Sequence, residues 1–221
     1  IGAAIVPIMN TIDTMLVLKR LQSVGFSKME ANELYGQLTG FAQTLINLPQ
    51  VFSMALAISL VPAVSEANAR RDYREIKNIT SSGIRITLLI GLPCAFGLFV
   101  LAEPIIGLLY FRNPMETIIS IGKILSILSF GVVFLTLVQS LTAVLQGLGK
   151  PIVPVVNLFI GAVIKVILTY ILTGIRSINI KGAAISTVVA YFIASILDLI
   201  SVRKYTKLKF NIKEVFINPL I

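Results

Sequence analysis

Amide side chains recur at helical intervals within an otherwise apolar stretch of this sequence. Gln43, Asn47 and Gln50 follow one another at spacings of four and three residues, and Thr39 precedes them on the same helical face. An amide both donates and accepts hydrogen bonds, so such a stripe can bind the hydroxyl groups of a polar ligand. It can equally hold two helices together, and the spacing leaves both interpretations open.

Lys165 is the one charge between residues 151 and 175, and it shares a helical face with Asn157. It lies too far from either end of this apolar run for its ammonium group to reach surface water. Two interpretations remain open: Lys165 is a cation that faces a hydrated cavity, or it is paired with a carboxylate such as Asp13. Asp13 could also be a buried hydrogen-bond acceptor.

Two further polar residues complete the candidate set for a substrate cavity. Gln139 belongs to a polar stripe of a third apolar run, and Arg85 lies near the start of another. Arg85 is also close enough to a charged segment to extend to the surface. The full set is Asp13, Gln43, Asn47, Gln50, Arg85, Gln139, Asn157 and Lys165.

Enzyme chemistry has little support in this composition. The chain has no histidine and a single cysteine, Cys94, so no metal site, disulfide or cofactor is expected. The stretch QGLGKP, residues 146–151, lacks the Ser or Thr that completes a phosphate-binding loop. We therefore predict neither catalytic nor metal-binding residues.

The apolar runs predict an all-α, polytopic bundle of membrane helices. Of the 221 residues 56% are hydrophobic and 13% are charged, about half the charge of a soluble domain. Six runs are long enough, or nearly so, to span a bilayer. They are residues 1–18, 40–64, 84–109, 118–147, 152–174 and 182–202. Residues 1–202 would form one six-helix lobe, and residues 203–221 a basic cytoplasmic linker.

Basic residues predict the orientation of these spans. Alternating spans place 10 Lys and Arg residues on the side of the 65–83 connection and 6 on the other. Because Lys and Arg accumulate in cytoplasmic loops, the 65–83 connection is predicted to be cytoplasmic. The excess of 19 basic over 10 acidic residues therefore indicates no nucleic-acid partner. On the outer side, Ser27 and Glu30 fit a capping box, which predicts a short surface helix.

Four stretches in fixed order resemble a known family of exporters. They include RLQSVGFSKMEANELYGQLTGFAQTLINLPQ, LLIGLPCAFGLFVLAEPIIGLLY, AVLQGLGKPIVPVVNLFIGAVIKVILTYIL and INIKGAAISTVVAYFIASILDL. Together they resemble the polysaccharide biosynthesis and stage V sporulation protein B family. This family belongs to the multidrug, oligosaccharidyl-lipid and polysaccharide exporters and is related to the lipid II flippases.

The resemblance implies a bilobed transporter of the bacterial cytoplasmic membrane that moves lipid-linked saccharides by alternating access. This chain would be its second lobe, with a preceding six-helix lobe and membrane lipids as partners and further helices after residue 221. Lipid II flippases place an arginine in the helix that corresponds to residues 41–64, where this chain has neither Arg nor Lys. A cation-coupled multidrug exporter and a non-transporting membrane scaffold are the alternative functions.

The predicted orientation can be tested by cysteine labelling after Cys94 has been replaced. A cysteine at Asp72 should be shielded from an impermeant thiol reagent in intact cells, and one at Lys28 should be labelled. The opposite labelling pattern would contradict the orientation.

Overall fold

The computed structural model describes the backbone of residues 2–206 and the side chains of residues 11–206. Within these residues the chain is helical throughout, without a strand. The elements are α1 (Gly2–Ser23), α2 (Lys28–Gly36), a π-helical segment (Gln37–Ala42), α3 (Gln43–Ala69), α4 (Tyr73–Val100), α5 (Ala102–Leu109), α6 (Met115–Gly147), α7 (Ile152–Thr173) and α8 (Lys181–Thr206).

Five helices of the described residues are long and apolar enough to cross a membrane. They are Lys28–Ala69, Tyr73–Val100, Met115–Gly147, Ile152–Thr173 and Lys181–Thr206. The predicted fold class is confirmed. The first predicted span, residues 1–18, falls in α1, which is not among these five helices. That span stays a prediction, as does the orientation of the bundle. Most of the predicted 203–221 linker lies outside the described residues, and Arg203–Thr206 form the last turn of α8.

The capping box before α2 is confirmed. The Glu30 backbone N–H donates to Ser27 Oγ at 3.2 Å, and the Ser27 backbone N–H donates to Glu30 Oε2 at 2.7 Å. The predicted boundary between a short surface helix and the next span is wrong, because α2 continues through Gln37–Ala42 into α3 as one helix of 42 residues. A π-helical turn keeps the backbone hydrogen-bonded while it shifts the helical phase, so no loop is needed.

The predicted 65–83 loop is also mostly helical. Helix α3 continues to Ala69, and α4 begins at Tyr73. Asp72 caps α4 by accepting a hydrogen bond from the Glu75 N–H at 2.9 Å. The charged residues of this region therefore lie in the last turn of α3, in the first turns of α4 and in the three-residue turn between them, Arg70–Asp72. The charges correctly indicated that the chain leaves the apolar layer here. They did not imply a loop, because both helices continue into the charged region.

The predicted span over residues 84–109 is broken near its end. Helix α4 stops at Val100, and α5 begins at Ala102. Pro104 lies in the first turn of α5, where its missing N–H has no intrahelical partner to lose. A continuous helix would need a backbone N–H at position 104 to donate to the Val100 carbonyl oxygen, and proline has none, so Pro104 favours a new helix at this point.

Helix α6 is the centre of the bundle. In the most apolar 18-residue stretch of α6, 56% of the residues are buried, whereas in the corresponding stretch of α7 22% are buried. It packs against α3, α4, α5 and α8, whereas α7 packs mainly on α8 and α1. Helix α6 accordingly carries buried side chains along most of its length, from Ile118 to Leu145.

Close approach of α7 and α8 depends on Gly161. A Cβ atom at this position would lie 2.9 Å from the backbone carbonyl oxygen of Ala190, which is shorter than real contacts allow. Small residues at helix interfaces permit such approach in membranes. Gly161 is thus a packing contact between α7 and α8.

Gly161→Ala should therefore destabilise the protein, by about 1–3 kcal/mol, because α7 must move away from the Ala190 backbone. The control is Gly97→Ala in α4, where an added Cβ meets nothing within 4 Å. Thermal unfolding of the purified proteins in detergent should show a lower midpoint for the first variant only. Equal midpoints for both variants would contradict the packing role of Gly161.

Candidate functional site

An ion pair inside the bundle joins α1 to α7. Lys165 Nζ donates to Asp13 Oδ2 at 2.9 Å, and the two side chains are 20% and 10% exposed. Of the two interpretations of Lys165, this geometry matches the paired one. Two residues separated by 152 positions in the chain meet here, and each neutralises the charge of the other in an apolar surrounding.

Two tyrosines lie close enough to the Asp13 carboxylate to interact with it electrostatically. The Tyr35 hydroxyl is 2.7 Å from Thr14 Oγ1, one residue along α1 from Asp13. The carboxylate also interacts electrostatically with the hydroxyl groups of Tyr35 and Tyr191. Its second oxygen, Oδ1, is buried and has no hydrogen-bond partner within the described residues. The pair thus forms a polar centre bordered by α1, α2, α7 and α8.

Arg20 provides a second connection between α1 and α7. Its Nε donates to the Tyr170 carbonyl oxygen at 2.9 Å, and its guanidinium group lies 4.3 Å from the centre of the Tyr170 ring. From the sequence, Arg20 is one of the six basic residues assigned to the outer side. No periodicity could have found this contact, because its partner lies 150 residues away.

The amide stripe of α3 lies on the surface of the bundle. Asn47 is exposed, while Gln43 and Gln50 are half-buried. None of the three side chains makes a hydrogen bond to another described residue. The buried face of α3 instead carries Leu45 and Ile46, which pack in the main apolar cluster. The stripe is therefore available to something outside the described part of the chain.

Asn157 points into the bundle instead. It is 8% exposed, and its Nδ2 donates to Asp198 Oδ1 of α8 at 2.8 Å and to Ser201 Oγ at 3.2 Å. Farther along α7, Thr169 Oγ1 donates to Ser186 Oγ at 3.0 Å. Asn157 and Thr169 of α7 thus contact α8, whereas Lys165 contacts α1.

The remaining candidates are separated from the ion pair. Arg85 is exposed on α4, a helix that packs on α3 and α6, and Gln139 is half-buried on α6. Of the eight predicted residues, the structure joins Asp13 with Lys165 by a direct contact. Asp198, the buried partner of Asn157, was not among the predicted residues. Among the described residues no cluster of three or more His, Cys, Asp or Glu could hold a metal.

Comparison with known proteins places these features in a family context. The family model described as lipid II flippase MurJ matches residues 37–218. Stage V sporulation protein B of Bacillus subtilis is 29% identical over 91% of this chain and 38% of its own length. Lipid II flippase MurJ of Bacillus subtilis is 24% identical over 96% of this chain and 38% of its own length.

An archaeal protein is similar as well. The probable low-salt glycan biosynthesis flippase Agl15 of Haloferax volcanii is 25% identical over 76% of this chain and 34% of its own length. The chain thus spans little more than a third of each of these relatives. The matches confirm the resemblance that the four stretches carried, and with the five apolar helices they identify a multi-pass membrane protein.

Breaking the ion pair should destabilise the protein more than removing an unpaired lysine. Lys165→Met leaves the Asp13 carboxylate buried without a cation, which should cost about 3–5 kcal/mol and lower protein abundance in the membrane. Adding Asp13→Asn should restore much of that abundance. The control is Lys123→Met, since Lys123 is exposed on α6 and forms no ion pair with a described residue.

Abundance by immunoblot and thermal unfolding of the purified protein measure this effect. Normal values for the single Lys165→Met variant would contradict a structural role of the pair. If that variant is abundant but inactive, Lys165 acts on a substrate instead.

Proposed function

Because the chain belongs to the lipid II flippase MurJ family, we propose that it forms part of a membrane flippase for lipid-linked saccharide precursors. The protein would move the polar head group of such a lipid across the membrane by alternating access. The names of its relatives, which include two flippases, support this class of function and describe no enzyme.

The amide stripe of α3 is the observation that carries the proposal. Asn47 is exposed on a helix that is otherwise apolar enough to span a membrane, and Leu48 and Phe52 beside it are also exposed. An amide that faced hydrocarbon without a hydrogen-bond partner would be costly. We therefore infer that Gln43, Asn47 and Gln50 face a hydrated path, where they bind sugar hydroxyl groups.

Lys165 and Arg85 are the candidate cations for the phosphate groups of the substrate. The Lys165 ammonium has three N–H donors, and Asp13 accepts from one of them in the structure. A fifth of the side chain stays exposed, so an anion could contact it without first breaking the pair. Arg85 is exposed and forms no ion pair with a described residue.

A preceding six-helix lobe is the partner that we propose for this part of the protein. The relatives are more than twice as long as the matched region, which leaves room for a second lobe. The side of α3 that carries Asn47 would face that lobe across the substrate path. Residues 203–221 would connect the bundle to further helices.

Replacement of Asn47 tests this assignment. Asn47→Leu removes no hydrogen bond within the bundle, so abundance and thermal stability should stay normal. The transport rate for a lipid-linked saccharide in proteoliposomes of the full-length protein should fall about three- to tenfold, the effect of losing one hydrogen bond. Phe52→Leu, on the same helix, is the control and should transport normally.

Unchanged transport by Asn47→Leu, Gln43→Leu and their combination would contradict a role of the stripe in the substrate path. Export of cationic drugs without movement of lipid-linked saccharides would favour the multidrug exporter. Transport of neither substrate class by the unaltered full-length protein would favour the scaffold.

A further inference from the structure

Asp198 is a carboxyl group buried where three helices meet. It lies on α8 and is 1% exposed. Asn157 Nδ2 of α7 donates to its Oδ1 at 2.8 Å, and Thr142 Oγ1 of α6 lies 3.5 Å from its Oδ2. Asn157 also donates to Ser201 Oγ, one turn along α8, at 3.2 Å. We call these four residues the α6–α7–α8 junction.

No cation neutralises Asp198 within the described residues. The ion pairs there join Arg70 with Glu66 and Glu75, and Lys165 with Asp13. Lys165 is two helical turns along α7 from Asn157 and is already paired, and Arg203 and Lys204 are exposed near the end of α8. The other ionisable residues of the helices α4, α6, α7 and α8 and of the turn between α6 and α7 lie elsewhere along these elements. They are Glu116 and Lys123 of α6, Tyr170 of α7, Lys181, Tyr191 and Tyr205 of α8, Lys150 of the α6–α7 turn, and Tyr73, Arg74, Glu75, Lys77, Arg85 and Cys94 of α4.

An ionised carboxylate at this position would be poorly stabilised. Its donors are neutral, and one of the two contacts is at the outer limit of a hydrogen bond. Burying a carboxylate without a cation costs several kcal/mol, whereas a protonated carboxyl group can be satisfied by neutral partners. Asp13 differs from Asp198 in this respect, because it is also buried but is paired with a lysine.

We propose that Asp198 is a proton-binding site, protonated when the α6–α7–α8 junction is closed as in the structure. Oδ1 accepts from Asn157, so the proton lies on Oδ2, which donates to the Thr142 hydroxyl, a group that can also accept. Release of the proton to water leaves a carboxylate that must gain hydration, and this requires α7 and α8 to separate at the junction. This inference does not depend on which substrate the protein moves.

The position of Asp198 allows proton exchange with one side of the membrane. Eight residues separate it from Thr206 at the end of α8, a distance of about 12 Å along a helix. Lys150 lies beside Tyr205 at that end, with its ammonium 5.6 Å from the ring centre. In a transporter, this placement would couple binding of a proton from that side to closure of the junction.

Infrared difference spectroscopy of the full-length protein tests the proposal directly. At about pH 7 the unaltered protein should show the C=O stretching band of a protonated carboxylic acid, and Asp198→Asn should lack that band. The control is Glu66→Gln, because Glu66 is exposed and paired with Arg70. It should lose carboxylate absorption and keep the acid band. Loss of carboxylate absorption in Asp198→Asn, with the acid band intact, would overturn the proposal.

Thermal stability provides a second measurement. A folded state that holds a proton which the unfolded state has released becomes less stable as the pH rises. An unfolded aspartate releases its proton near pH 4, so the midpoint of the unaltered protein should fall as the pH rises from about 4 to about 7. That of Asp198→Asn should fall less, because an amide imitates the neutral acid. Equal pH dependence of the two proteins would contradict the proposal.

Two further outcomes are decisive. If sodium rather than choline raises the midpoint of the unaltered protein, and Asp198→Asn abolishes that effect, the junction binds a metal cation and no proton.

If Asp198→Asn fails to fold, infrared spectra of the unaltered protein test the proposal. An acid band at neutral pH that disappears on alkaline titration supports the proposal, and the absence of such a band refutes it.

Discussion

A polar group inside an apolar membrane bundle must find a partner, and this constraint shapes the whole structure. Lys165 reaches Asp13, Asn157 reaches Asp198, and Thr169 reaches Ser186, in each case across two helices. Because lipid offers no competing hydrogen bonds, each of these contacts helps to specify which helices are neighbours. Apolar packing around α6 supplies most of the contact area. It specifies the neighbouring helices less strictly than the polar contacts do, since many aliphatic faces can pack together.

The same constraint makes the attachment of α1 distinctive. In the described residues α1 packs mainly on α7 and α2, and its Val17 and Leu21 are fully buried in the main apolar cluster. Its connection to α7 rests on the Asp13–Lys165 pair and on Arg20, which contacts Tyr170. Such polar contacts can be exchanged for water or ligand more readily than an interdigitated core can be taken apart. Besides these polar contacts, the buried Val17 and Leu21 hold α1 to the apolar core.

Two kinds of polar residue can now be told apart by their partners. Asn157 and Thr169 are satisfied within the bundle and serve its packing. Asn47 is exposed and finds no partner there, although it lies on a membrane-spanning helix. The first kind explains how α6, α7 and α8 assemble. The second kind requires something polar outside the described residues, and the flippase proposal supplies it as a hydrated substrate path.

Local signals in the sequence determined the helical class, the apolar spans after α1 and the capping box at Ser27 and Glu30, because each depends on residues a few positions apart. The polar stripes were visible for the same reason. Only the tertiary structure decided that α2 runs into α3 without a loop, and that Lys165 meets Asp13. It alone showed that Asn157 is buried while Asn47 is exposed. Periodicity places a residue on a helical face, but the neighbour of that face is set by contacts between segments far apart in the chain, and no local pattern records them.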